Sequence, residues 1–184
     1  MRKICLFFLK LLNYKLDVVN VPKEKKYILI FAPHTSWTDF ALGKIALTAM
    51  GVRTTFLIKK EFFFFPMGHF LRYLGGYPVD RKRAHKLTDT LAEFIKEKDE
   101  IVLLITPEGT RRRVDTWKRG FYYIAQKAEV PIALGYLDYR CRKGGIGQVF
   151  KPTGNYDADL IEIQNFYKGM RGRRKGKFNL ENDS

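Results

Sequence analysis

Residues 27–39 read YILIFAPHTSWTD. The first six, Tyr27 to Ala32, form a short apolar run rich in strand formers, and Pro33 closes it. Ser36 is then a natural helix N-cap, heading a segment to Met50 with Phe40, Ile45, Leu47 and Ala49 among its apolar positions. The same alternation continues along the chain. Strands are expected at 54–58, 101–106 and 131–137, the IVLLIT run at 101–106 being apolar on both faces and therefore central. Between them fall helices at 121–128, near 157–168, and at a segment that places Ala84, Leu87, Leu91, Phe94 and Ile95 on one face. Strands and helices in alternation imply a single α/β domain with a mixed, largely parallel central sheet flanked by helices.

The chain has 184 residues, enough for one sizeable core, and 46% of them are hydrophobic, which excludes a disordered chain. Its 34 Lys and Arg against 19 Asp and Glu give a formal charge of +15, which implies an anionic partner. Cys5 and Cys141 form neither a metal pair nor a disulfide framework, so a reduced, cytoplasmic setting is expected. His34, His69 and His85 are too dispersed to suggest a metal site. In MRKICLFFLKLLNYKL, Lys10 interrupts the apolar run, and nowhere do the roughly 20 apolar residues of a spanning helix occur. Residues 1–15 instead read as an amphipathic helix with Ile4, Phe7, Phe8, Leu11 and Leu12 at helical spacing. Such a helix either lies in a membrane interface or caps the core. A basic tail is expected over 171–184.

Chemistry in sheets of this kind collects beyond the carboxyl ends of strands, and three polar clusters fall there. In the first, His34 and Asp39 are five residues apart. On one helix they would point about 140° apart, but with His34 in the turn and Ser36 as N-cap, Asp39 becomes the third helical residue and the two can meet. Asp39 would then orient the imidazole and stabilise its cation, leaving the other nitrogen to accept a proton. Ser36-x-x-Asp39 is equally a capping box, and the spacing alone leaves both readings open. No nucleophile elbow is present, which favours direct activation of a substrate hydroxyl over a covalent intermediate. In the second cluster, Gly75 and Gly76 permit a tight turn and Pro78 stiffens the approach to Asp80 and Arg81, either a phosphate-binding arginine or a surface ion pair. In the third, Pro107-Glu108-Gly109-Thr110-Arg111, Gly109 lets backbone approach a ligand, with Glu108 and Arg111 directed into the same space.

Taken in order, these clusters resemble the glycerolipid acyltransferase family, whose best-known members act on 1-acylglycerol-3-phosphate (lysophosphatidic acid). The family's His-x-x-x-x-Asp motif corresponds to His34 and Asp39, its Gly/Pro-Asp-Arg motif to GGYPVDR, its Pro-Glu-Gly-Thr-Arg motif to residues 107–111, and its late strand proline to Val130-Pro131-Ile132. The stretch LIKKEFFFFPMGHFLRYLGGYPVDR and Trp117-Lys118-Arg119-Gly120 are similar to segments between and after these motifs. Thr106 stands where the family usually has an aromatic residue, and a second proline common in the fourth motif is absent.

The resemblance implies a glycerol-3-phosphate acyltransferase-like fold and an O-acyltransferase of phospholipid biosynthesis. His34 would be the general base on an acceptor hydroxyl, and Asp39 its support. Arg81, Glu108, Gly109, Thr110 and Arg111 would bind the acceptor head, the arginines taking its phosphate, with Lys118 a further candidate. The acyl donor would be acyl-CoA or acyl carrier protein, with no other cofactor. The acceptor would be a lysophospholipid or glycerol-phosphate-type lipid, most simply 1-acylglycerol-3-phosphate. Contact with an anionic membrane would be peripheral, on the cytoplasmic side. Acylation of another hydroxyl lipid and thioester hydrolysis are the alternatives within the fold. A nucleic-acid-binding module is the alternative outside it, disfavoured because no RNP-like strand, zinc spacing or helix-turn-helix pattern appears.

Overall fold

The computed structural model describes residues 1–18, 20–80 and 84–181, and for residues 84 and 85 the backbone alone. The elements are α1 (Arg2–Leu11), β1 (Lys15–Asp17), β2 (Lys26–Ala32), α2 (Trp37–Met50), β3 (Thr55–Lys59), a 3₁₀ turn (Lys60–Phe62), α3 (Met67–Tyr73), β4 (Gly76–Val79), α4 (Ala84–Glu97), β5 (Ile101–Ile105), α5 (Gly120–Ala128), β6 (Ile132–Asp138), β7 (Lys143–Phe150) and α6 (Tyr156–Tyr167). The strands form one seven-stranded sheet in the order β1-β7-β6-β2-β5-β3-β4. Every neighbouring pair is parallel except β6 and β7, which form an antiparallel pair. The expected α/β domain with a mixed, mostly parallel sheet is therefore what the chain builds.

β2 is central because both its faces are apolar, as a strand covered on both sides requires. Ile28 and Ile30 point to one side, where they join Leu103, Ile132 and Leu134 of neighbouring strands beneath α4, α5 and α6. Tyr27 and Leu29 point to the other, against Leu47 of α2 and Val52. The β5 run is internal, between β2 and β3, as its apolar character implied.

Two stretches differ from the sequence reading. Gly76–Val79, expected as part of a turn, is the edge strand β4 paired in parallel with β3. Gly75 does turn the chain, at φ +96°, but a Cβ there would lie 2.3 Å from the Thr54 carbonyl oxygen, so close packing as well as the turn demands glycine. The glycine-rich segment 143–150, to which the sequence reading assigns no element, is the long strand β7. Its glycines admit close neighbours: a Cβ on Gly145 would meet the Asp17 carbonyl oxygen at 2.1 Å, and one on Gly147 the Phe166 ring at 2.4 Å.

α1 meets the core-capping expectation through one residue. Leu9 is buried against Ala46 and Ala49 of α2, while Ile4, Phe7, Phe8 and Leu11 remain exposed. The segment beyond α6, read as a basic tail, crosses the carboxyl side of the sheet. The Tyr139 amide donates to the Arg171 carbonyl (2.9 Å), and Phe178 is fully buried beside Trp117.

Candidate active site

The carboxyl ends of β6, β2 and β5 lie side by side, and the chain leaves β2 and β6 through the short segments 33–36 and 139–142 and β5 through the longer segment 106–119. His34 follows β2, Glu108 follows β5 and Tyr139 follows β6. Parallel pairing thus brings together three side chains that are far apart in sequence.

α2 begins as expected. Ser36 is the N-cap with extended backbone, its hydroxyl accepts from the Thr38 amide, and Asp39 completes a capping box as the third helical residue. The Asp39 carboxylate does more than cap. One oxygen accepts from the amides of Thr35 (2.6 Å) and Ser36 (2.7 Å), and the other accepts from the Tyr139 hydroxyl (2.7 Å). The first of these oxygens also faces His34 Nδ1 at 3.7 Å. This is within ion-pair range and longer than a hydrogen bond. Among the described residues the buried Nδ1 has no hydrogen-bond partner, and this carboxylate is the group placed to answer it. Capping and facing the histidine are thus two tasks of one fully buried side chain.

His34 is 18% exposed. Burial, together with the positive charge of Arg111, pushes its pKa below the usual histidine value, while Asp39 opposes the shift. At neutral pH the imidazole is consequently neutral, the form able to accept a proton.

Glu108 is 3% exposed, and its carboxylate accepts the His34 backbone amide at 2.7 Å. It therefore ties the β5 loop to the β2 loop. Burial raises its pKa to about 8, with Asp39 adding to the shift and the His34 amide opposing it. The folded state consequently binds a proton that the unfolded chain releases near 4.5, so the protein loses stability as pH rises from there to about 8. Glu108→Gln removes this dependence. Relative to the native protein, the variant's unfolding free energy is expected to rise by about 2–4 kcal/mol over that interval in urea titrations at stepped pH. A difference independent of pH would contradict a buried, titrating carboxyl.

The remaining residues of the third cluster flank this bridge. Gly109 has φ +65°, and a Cβ there would lie 2.7 Å from Lys118 Cε, so the lysine stem crosses the glycine. The Lys118 amide donates to the Pro107 carbonyl (2.8 Å). The Thr110 hydroxyl accepts from the Arg112 amide (3.3 Å), which shapes the turn, and Arg111 is exposed near His34. Arg81 lies outside the described residues, while Asp80 pairs with Lys60 (2.6 Å).

Sequence reasoning missed Tyr139 and the segment behind it. Besides donating to Asp39, the Tyr139 ring lies edge-on to Tyr14 and beneath the Arg173 guanidinium. Thr35 accepts the Arg174 amide (3.2 Å), and Gly172 packs so closely on Thr35 that a Cβ would meet its methyl group at 2.4 Å. The rule that chemistry collects at strand ends, applied to β6 as it was to β2 and β5, would have singled out Tyr139. The chain contacts of 172–174 carry no comparable signal.

A family model described as acyltransferase matches residues 16–133. Over 114 residues the chain is 27% identical to a 1-acyl-sn-glycerol-3-phosphate acyltransferase of Streptococcus pneumoniae (strain ATCC BAA-255 / R6), a match covering 61% of this chain and 42% of that protein. The chain thus matches less than half the length of this curated relative. The fold is similar to the crystal structure of the 1-acyl-sn-glycerophosphate (LPA) acyltransferase, PlsC, from Thermotoga maritima, with a TM-score of 0.62 and 20% identity over 90% of this chain and 74% of that one.

Proposed function

The chain belongs to the acyltransferase family, and from that premise we propose that it transfers a fatty acyl group from a thioester donor to the hydroxyl of a glycerol-phosphate-type lipid, 1-acylglycerol-3-phosphate being the simplest acceptor. The observation that carries this reading is the His34 imidazole, whose buried Nδ1 faces the Asp39 carboxylate at 3.7 Å at the carboxyl end of the central strand. Names of relatives that act on the same class of lipid support it.

In this reading His34 Nε2 takes the proton of the acceptor hydroxyl as its oxygen attacks the thioester carbonyl. Asp39 steadies the imidazolium that forms. When the carbon–sulfur bond breaks, the imidazolium returns the proton to the departing thiolate, and an ester and a free thiol result. The thiol belongs to coenzyme A or to the arm of an acyl carrier protein. Arg111, with Arg81 and Lys118, holds the acceptor phosphate, while Glu108 keeps the His34 loop against β5.

Among the described residues no helix is long and apolar enough to cross a membrane. In this reading the lipid substrate is reached from the surface, on the cytoplasmic side, by the apolar face of α1 and by the aromatic residues Phe62, Phe64, Phe65 and Phe70, all exposed. Phe65 is 83% exposed.

The test is thiol release from acyl-CoA and from acyl carrier protein across a panel of lyso-lipids. Turnover that needs a hydroxyl acceptor is expected; thiol release indifferent to every acceptor would mean hydrolysis instead. Arg111→Ala is expected to raise KM for the phosphorylated acceptor about tenfold or more while changing that for the donor little, since a charge-assisted phosphate contact is lost. Equal effects on both substrates would remove the phosphate role from Arg111.

A further inference from the structure

Beside the catalytic loops, with Tyr139 in its wall, the structure holds an open cavity of about 500 Å³ whose lining includes none of His34, Glu108 and Arg111. Three arginines from two separate segments line it: Arg142 in the turn between β6 and β7, and Arg171 and Arg173 beyond α6. Arg171 is partly answered by Glu181 at 3.4 Å. Among the described residues, neither Arg142 nor Arg173 pairs with a carboxylate. Both act on the Tyr14 hydroxyl, lowering its pKa against the stronger upward effect of burial, so their positive potentials converge in this space. Asp39 and Asp138 are the acidic groups that also act there. Each is already engaged, Asp138 by the amides of Arg140 and Arg171.

Another part of the lining is apolar. Leu11 and Leu12, at the end of α1, and Leu42 of α2 form it. Leu11 is 69% exposed and Leu12 45% exposed, and through them the wall runs on into the open apolar face of α1. A cavity lined by guanidinium groups, two of them without a carboxylate partner among the described residues, and by leucines continuous with an exposed apolar helix face is complementary to an anionic amphiphile. We propose that this cavity binds the phosphate head of an anionic glycerophospholipid, with the arginines on the phosphate and the first methylenes of its chains on Leu11, Leu12 and Leu42. The volume is in the range of ordinary small-molecule sites. A free phosphate would leave the leucine wall unused. This site is separate from the acceptor position assigned to Arg111, and its existence does not depend on acyl transfer being the reaction.

The full chain is titrated with monomeric dihexanoyl phosphatidate, dihexanoyl phosphatidylcholine and inorganic phosphate, and binding is followed by calorimetry. Phosphatidate is expected to bind at least about tenfold more tightly than the other two probes. Arg142→Gln with Arg173→Gln should weaken phosphatidate about tenfold or more, and Arg111→Ala should leave this binding within about twofold. Leu12→Ser should weaken phosphatidate while leaving inorganic phosphate unchanged, and thermal unfolding of each variant confirms that it is folded. Inorganic phosphate bound as tightly as phosphatidate would reduce the site to one for a free anion and overturn the lipid assignment. Phosphatidate binding lost with Arg111→Ala but kept in the double variant would place the only lipid head at the acceptor position, which also overturns the proposal.

Discussion

His34→Ala is expected to lower kcat for acyl transfer about a thousandfold, within the range that a positioned general base contributes. The variant should otherwise fold as the native protein does. Among the described residues the buried Nδ1 of the imidazole makes no hydrogen bond, and the link from residue 34 to Glu108 uses the backbone amide, which alanine retains. The two effects therefore separate cleanly: a loss of rate with an unchanged urea midpoint. In the native enzyme the acid limb of kcat/KM should fall below pH 6.5, because burial and Arg111 lower the histidine pKa and protonation removes the accepting lone pair. Steady-state assays of thiol release over pH 5–8 measure both quantities. Undiminished turnover in the alanine variant would leave the proposed chemistry without its base.

Asp39→Asn and Asp39→Ala divide the two tasks of that carboxylate. The asparagine oxygen can still accept the Thr35 and Ser36 amides, and the Tyr139 hydroxyl can turn to accept from the new amide, so the cap and the loop survive. What disappears is the negative charge 3.7 Å from His34 Nδ1. A fall in kcat of about a hundredfold is expected, together with a further downward shift of the acid limb, because Asp39 is the group that raises the His34 pKa. Alanine goes further and strands two buried amides and a hydroxyl, at a cost of about 2–4 kcal/mol in unfolding free energy. Should asparagine retain the native rate and pH profile, Asp39 would be a helix cap and nothing more.

The strands that the sequence revealed are those whose apolar runs are bounded by breakers. YILIFA before Pro33 and IVLLIT before Pro107 could be read to within a residue, because a buried parallel strand has no polar face to confuse the pattern. β4 and β7 were obscured by their own glycines and Pro78. Those residues are there to let neighbouring backbone come close, a need that exists only after the sheet has formed. The site divides in the same way. His34 and Asp39 are near in sequence and are joined by a helix start that local rules describe. Tyr139 reaches Asp39 across 100 residues, and Arg174 reaches Thr35 across 139. Nothing in the local pattern of either segment encodes that partner. Their meeting follows from β6 lying beside β2, which is a property of the sheet order. The +15 charge was likewise legible as a demand for an anion, but only the folded chain shows Arg142, Arg171 and Arg173 gathered around one cavity.

The hydrogen bond from the Arg174 amide to the Thr35 hydroxyl also sets an order of events during synthesis. The loop that carries His34 emerges from the ribosome early and waits for its last partner until residues beyond 170 have been made. A chain arrested before that point would leave Trp117 without its Phe178 neighbour and Thr35 without Gly172, which packs against it. The same dependence makes the junction after α6 a point of vulnerability in the mature protein, where a single proteolytic cut would be felt at the histidine loop.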